Sequence, residues 1–362
     1  MPRLTDVPPE PSVPSGSHAF VTAGAPGRSH RLGRALAWTA SGCVVLGAAI
    51  WVASQVSRWP STLVIRTAFD KGGREANDAL TGRVPDDVAA IRDVPYRPGD
   101  TDAVLDVYFP SALAADEALP TIVWTHGGGW VSGSKDHVAS YAQILAGHRY
   151  TVVAIDYTIA PEARYPTPVV QLNAALEYVT ANAAALHVDP RQIILAGDSA
   201  GSQIAAQVAT LVTSPDYAKL VGITPSIGPD ALVGVVLHCG PYDMALASVD
   251  GAFGWFIRSV LWAYTGEKNF RDDAAFDAAS VVNHVTGDFP AAYLTGGDGD
   301  GLTVMGKAFH ARLVELGVEA TGVFPEQPEA PLGHEYQFDL SEPAGQEALD
   351  GTLAFLEAHT SR

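Results

Sequence analysis

The feature that most constrains this chain is a serine set between two glycines, at the junction of two segments with opposite periodicity. Gln192-Ile193-Ile194-Leu195-Ala196 is a short apolar, partly β-branched run suited to a buried strand, and residues 202–209 are alanine-rich and read as a helix. Between them lies Gly197-Asp198-Ser199-Ala200-Gly201. A strand, Gly-x-Ser-x-Gly and a helix, in that order, describe a turn sharp enough to lift a serine hydroxyl clear of a sheet. The glycines have a steric reason, because a side chain at 197 or 201 would collide with neighbouring backbone. Taken alone, the pattern is equally that of a glycine-rich βα turn without chemistry.

A second motif weighs against that plain reading. His126-Gly127-Gly128-Gly129 follows another apolar strand, Thr121-Ile122-Val123-Trp124-Thr125. A glycine triplet there frees main-chain N–H groups to turn toward an oxyanion without side-chain obstruction. The candidate donors are the N–H groups of Gly128, Gly129 and Ala200. The spacing from His126 to Ser199 accommodates one β-α unit around Thr151-Val152-Val153-Ala154-Ile155-Asp156.

The rest of the chain continues the alternation. Strand-like runs at 121–125, 151–156, 192–197, 232–239, 290–296 and 319–324 are interleaved with helical patterns at 136–147, 168–186, 200–213, 304–316 and 344–359. That order predicts an α/β fold, with a doubly wound, mostly parallel sheet and helices on both faces. Residues 103–109 alternate with period two and predict an antiparallel edge strand. Residues 59–100 read as short helical pieces broken by Pro60, Gly72-Gly73 and Pro85. Residues 242–285 interrupt the alternation with Phe253, Trp255, Phe256, Trp262 and Tyr264, an aromatic insertion expected to line or cover a pocket.

Over residues 100–360, roughly, the chain resembles the α/β-hydrolases of the hormone-sensitive-lipase-like esterase family. The residues that carry the resemblance are His126-Gly127-Gly128-Gly129-Trp130, Asp156 to Glu162 with Tyr165-Pro166, and Gly197-Asp198-Ser199-Ala200-Gly201. The resemblance implies an α/β-hydrolase fold with a small cap, to which 59–100 and 242–285 are the candidate contributors. It also implies a nucleophile–acid–histidine order along the chain. Ser199 is then the nucleophile. His334, in Pro331-Leu332-Gly333-His334-Glu335-Tyr336, stands at the family's position for the base, while His238, His284, His310 and His359 fall in a strand, the insertion, mid-helix and near the chain end. For the acid, Gly297-Asp298-Gly299-Asp300-Gly301-Leu302 offers two aspartates, and Asp300 matches the family's Asp-Pro-Leu. Two departures bear on local geometry and substrate range: Gly301 stands where the family has proline, and Glu335-Tyr336 where it has Gly-Phe. His126 is expected to pack beneath the glycine loop, and Asp156 and Glu162 to act as structural hydrogen-bonders. Trp130, Trp255 and Phe256 are the candidate substrate contacts.

The activity implied is a serine carboxylesterase acting on short- to medium-chain acyl esters, with a small-molecule ester as partner and no metal or cofactor. The same residues would serve an amidase or arylformamidase, and a non-catalytic scaffold is the third reading. The formal net charge of −18 excludes nucleic acid as an expected partner. Cys43 and Cys239 are the only cysteines, and the position of Cys43 in an N-terminal apolar segment makes a disulfide within the folded domain unexpected.

The N-terminus raises a separate expectation. Residues 1–34 are rich in Pro, Gly and Ser and read as a disordered tail. Residues 35–56 run without a charge, long enough to span a bilayer, with Trp38 and Trp51 near the two ends. A cleaved signal, or a lipoprotein box at Ala40-Ser41-Gly42-Cys43, competes with an uncleaved anchor. Arg28, Arg31 and Arg34 before the run place the tail in the cytoplasm, so the expectation is a single-pass membrane protein with residues 59–362, the hydrolase domain, on the extracytoplasmic side.

Overall fold

The computed structural model describes residues 52–360, and everything below lies within the unit Ala53–Arg362. The tail at 1–34 and nearly all of the uncharged run at 35–56 lie outside the described residues.

Eight strands form one sheet: β1 (Val88–Pro95), β2 (Val104–Pro110), β3 (Leu119–Thr125), β4 (Thr151–Ile155), β5 (Val188–Asp198), β6 (Leu232–His238), β7 (Ala292–Thr295) and β8 (Ala320–Val323). Their spatial order is β1-β2-β4-β3-β5-β6-β7-β8. β2 runs antiparallel to both β1 and β4, and all pairings from β4 through β8 are parallel. From Trp59 onward nine helices of more than one turn accompany the sheet: α1 (Trp59–Leu80), α2 (Ala139–Gly147), α3 (Thr167–Ala181), α4 (Ser199–Thr213), α5 (Pro215–Val221), α6 (Gly251–Thr265), α7 (Ala274–Ala278), α8 (Thr303–Glu315) and α9 (Pro343–His359). This is the expected α/β-hydrolase arrangement.

The central strands are apolar without alternation because both faces are covered. Along β3 and β5, Val123, Ile193 and Leu195 join one buried cluster, while Ile122, Trp124, Ile194 and Ala196 join the cluster on the opposite face. Every residue of α4 is buried, which explains its small Ala, Gly, Ser and Thr side chains close against the sheet.

Three expectations need correction. β2 is not an edge strand; β1 lies outside it, within a segment read as broken helix. Nor does Gly72-Gly73 break a helix, since α1 runs through both. A Cβ at Gly73 would stand 2.6 Å from the His137 ring, so the glycine lets the helix pass closely over that side chain.

The third correction is the membrane anchor. Among the described residues no helix is long and apolar enough to cross a membrane, which overturns the single-pass placement and its extracytoplasmic orientation. The long helix that does follow the uncharged run, α1, carries Arg66, Asp70, Lys71, Arg74, Glu75 and Asp78 and packs against the domain instead.

Candidate active site

Three loops at the carboxyl ends of parallel strands meet at Ser199. The serine itself follows β5 with φ of 50°, in the left-handed region that a non-glycine residue occupies only when its surroundings enforce it. A methyl group at Gly197 would come within 2.7 Å of the Thr125 carbonyl oxygen, and one at Gly201 would strike the carbonyls of Thr125 and His126. The tight turn thus exists because β3 runs directly beside it.

Opposite Ser199, the loop after β8 brings in His334. Its Nε2 lies 2.9 Å from Ser199 Oγ and its Nδ1 2.7 Å from Asp300 Oδ2. With Asp300 ionised, Nδ1–H donates to the carboxylate and Nε2 is left to accept from the serine hydroxyl. Asp300 is fixed in turn by the Leu302 N–H, which donates to its Oδ1 at 2.9 Å. Asp298 does other work: its carboxylate accepts the N–H groups of Gln327 at 2.7 Å and Leu332 at 2.8 Å, tying the loop that carries His334 to the end of β7. Those backbone donors hold its pKa below the usual aspartate value.

The ionisation of His334 reflects opposing forces. Withdrawal from water would lower its pKa, but the Cys239 sulfur, the hydrogen bond to Asp300 and the charge of Glu335 raise it, and the net direction is well above 6.5. Burial keeps the Cys239 thiol protonated, so at neutral pH the lasting contributions come from Asp300 and Glu335.

The glycine loop is held by Asp198. Its buried carboxylate accepts Trp124 Nε1–H and the Gly127 N–H, both at 2.8 Å. Gly128 and Gly129 adopt φ of 103° and 60°. At Gly128 a side chain would run into the Ser132 carbonyl. His126 stacks on Tyr157 at 4.3 Å, and burial lowers its pKa to about 4, so the ring is neutral beneath the loop. Asp156 accepts the Lys135 N–H at 2.6 Å, and burial raises its pKa to about 6. Glu162 pairs with Arg66 of α1 through two 2.7 Å hydrogen bonds.

Ser199 opens into an apolar cavity of about 540 Å³, whose wall includes Gly129, Trp130, Ala200, Met244, Phe256 and Met305. Phe69 of α1 also lines it, with its ring centroid 5.3 Å from that of Phe256. Trp130 is anchored by donating Nε1–H to Gln203 and by stacking on Tyr264 at 4.6 Å. Trp255 is a correction: it is 45% exposed and absent from the cavity wall. On α6 it sits about 100° from Phe256, so the two cannot face the same way.

Two participants were not named from the sequence as site residues. Phe69 lies in a segment whose helical face was obscured by Gly72-Gly73. Glu335 was visible as a departure from the family pattern, but its position depends on a left-handed backbone with φ of 61°, which turns its carboxylate to 3.7 Å from His334 Nε2. Among the described residues, Cys239, Asp300 and His334 are the one group of three whose ligand atoms lie within 4.8 Å of each other. A metal there would have to displace the hydrogen bonds His334 already makes.

A strained serine after the central strand, hydrogen-bonded to a histidine that is itself hydrogen-bonded to an aspartate, both from later loops of the same sheet, defines the class. The sequence profile of the alpha/beta hydrolase fold family matches residues 122–328, and the chain belongs to that family. Among individual relatives, carboxylesterase NlhH of Mycobacterium tuberculosis is 43% identical over 114 residues, which cover 31% of this chain and 35% of NlhH. Esterase LipQ of the same species is 26% identical over 257 residues, covering 70% of this chain and 58% of LipQ. The match to the first of these relatives therefore spans about a third of its length. In three dimensions, an inhibited esterase B from Lactobacillus rhamnosis superposes with a TM-score of 0.71 at 23% identity, covering 82% of this chain and 96% of that one. At that identity the likeness speaks to fold alone.

Proposed function

We propose that the protein is a serine carboxylesterase acting on short- to medium-chain acyl esters. The observation that carries the reading is the unbroken line from Asp300 through His334 to Ser199 Oγ at the end of an apolar cavity. A serine hydroxyl is a poor nucleophile until a base takes its proton, and His334 Nε2 is placed to do so. Ser199 Oγ attacks the ester carbonyl carbon, and its proton passes to Nε2. The carbonyl oxygen, now carrying the negative charge, is met by the N–H groups of Gly128, Gly129 and Ala200. Collapse expels the alkoxide, which takes the proton from Nε2 and leaves as alcohol. Water then repeats the sequence on the acyl-serine and releases the acid. Asp300 holds the imidazole in the productive tautomer and stabilises it when charged. Phe69 and Phe256 act as the cap over the acyl chain.

The test is covalent labelling of the full chain with a fluorophosphonate, alongside turnover of p-nitrophenyl butyrate. The wild type should label at Ser199 and turn over the ester. A folded Ser199→Ala protein should lose labelling and fall by on the order of 10⁶ in turnover, since the three residues act as a unit. Undiminished hydrolysis by that variant would refute the assignment.

A further inference from the structure

The leaving oxygen of an ester must sit beside His334 Nε2 to receive its proton, so groups around that nitrogen other than Ser199 face the leaving alcohol. Glu335 is such a group, with Oε1 3.7 Å from Nε2 and its side chain 36% exposed. The space beside it is a second cavity of about 210 Å³ that shares Ser199 and His334 with the apolar one. Its walls differ in character. Gly72, Gly73 and Ala76 of α1 contribute little more than backbone, while Asp198, His137 and Glu335 contribute polar groups.

Resting on the esterase reading above, we propose that this smaller cavity receives the alcohol of the substrate, and that Glu335 selects alcohols carrying an ammonium group while the acyl chain lies in the apolar cavity.

The charge balance supports an anionic subsite. Asp198 is fully buried, and burial together with the neighbouring Glu335 raises its pKa well above the usual value. Both Asp198 oxygens are taken up by Trp124 Nε1–H and the Gly127 N–H, so the carboxylate of this wall that is open to a ligand is the part-exposed Glu335. His137 in the same wall is kept neutral by burial and adds no opposing charge. Arg74, whose charge also reaches His137, does not line the cavity. The left-handed backbone at 335 starts the side chain toward this side of His334, and its Oε1 ends 3.7 Å from Nε2.

The experiment compares two esters with the same acyl chain and isosteric alcohols, butyrylcholine and 3,3-dimethylbutyl butyrate, with p-nitrophenyl butyrate as a neutral reference. For the wild type, kcat/KM should favour the cationic ester by on the order of tenfold at low ionic strength, and less in 0.5 M salt, roughly as a partly exposed charge pair is screened. Glu335→Gln should bring the ratio to near one, mainly through KM for the choline ester. A wild-type ratio of one or below overturns the inference without any variant having to fold. So does an unchanged ratio in Glu335→Gln. In both cases turnover of p-nitrophenyl butyrate leaves the esterase reading standing. Failure of the wild type to hydrolyse all three esters removes that reading, and the inference with it.

Discussion

Replacing Arg66 with methionine tests whether α1 is an integral wall of the cavity. The Arg66 guanidinium donates from Nε to the Val131 carbonyl at 2.7 Å and from Nη2 to the Ala160 carbonyl at 2.9 Å, besides its two bonds to Glu162. Arg66 thus links α1 to the segment after the glycine loop and to the one after β4. Side-chain exposures of 19% for Arg66 and 39% for Glu162 discount the ion pair to about 0.5–1 kcal/mol. The two bonds to carbonyls add about 1 kcal/mol each, since both acceptors regain water only in part. The expected loss is therefore about 2.5–3 kcal/mol, or a fall in Tm of about 4–8 °C for a domain of this size. Methionine preserves the packing of the aliphatic stem, so the change isolates the hydrogen bonds. Because Phe69 lies on the same helix, p-nitrophenyl octanoate should lose more kcat/KM than p-nitrophenyl acetate. Circular dichroism melts and the ratio of the two esters measure both effects. A Tm within about 1 °C of wild type, with an unchanged ratio, would refute the reasoning.

Two further outcomes follow from the acid loop and the base. Asp300→Asn should lower turnover by roughly 10⁴ through the wrong imidazole tautomer, whereas Asp298→Asn, which weakens only the clamp on Gln327 and Leu332, should cost about tenfold or less; steady-state kinetics on folded variants in the reverse order would exchange their roles. His334 must be neutral to accept the serine proton, and its pKa is raised, so the acid limb of kcat/KM should fall above pH 6.5 and move down in Glu335→Gln. A wild-type limb at or below pH 6.5, measured at constant ionic strength, contradicts the electrostatics described.

What could be read from the sequence depended on whether a residue's role is local. Gly197 announces the turn because the backbone of Gly201 and Ser202, which leaves no room for a side chain there, belongs to the same short motif, and His334 is found within hydrogen-bonding distance of both Ser199 and Asp300. Gly73 misled because glycine in a helix costs about 1 kcal/mol in isolation, whereas its reason here is a histidine ring more than sixty residues away. Val88–Pro95 has no clean alternation, since its burial is mixed along the edge of the sheet, and so it did not read as a strand. Trp255 and Phe256 are neighbours whose roles differ only by the rotation of α6, a phase that an apolar helix does not write into its composition. The N-terminal run illustrates the opposite limit: hydropathy and length suggest a span, yet the described helix beyond it is charged and packed on the domain.

The pairing of Asp298 with Asp300 has a consequence for how positional error is distributed in the site. One turn grips the loop that carries the histidine and also supplies the histidine's partner, so a shift of that turn carries acid and base along together. Their mutual distance is conserved under such a shift, while the gap to Ser199, seated on a different strand and backed by a wholly buried helix, absorbs the whole displacement. The site therefore has one soft coordinate. Thermal motion and remote substitutions alike act on the 2.9 Å separation between nucleophile and base, the distance to which proton transfer is most sensitive.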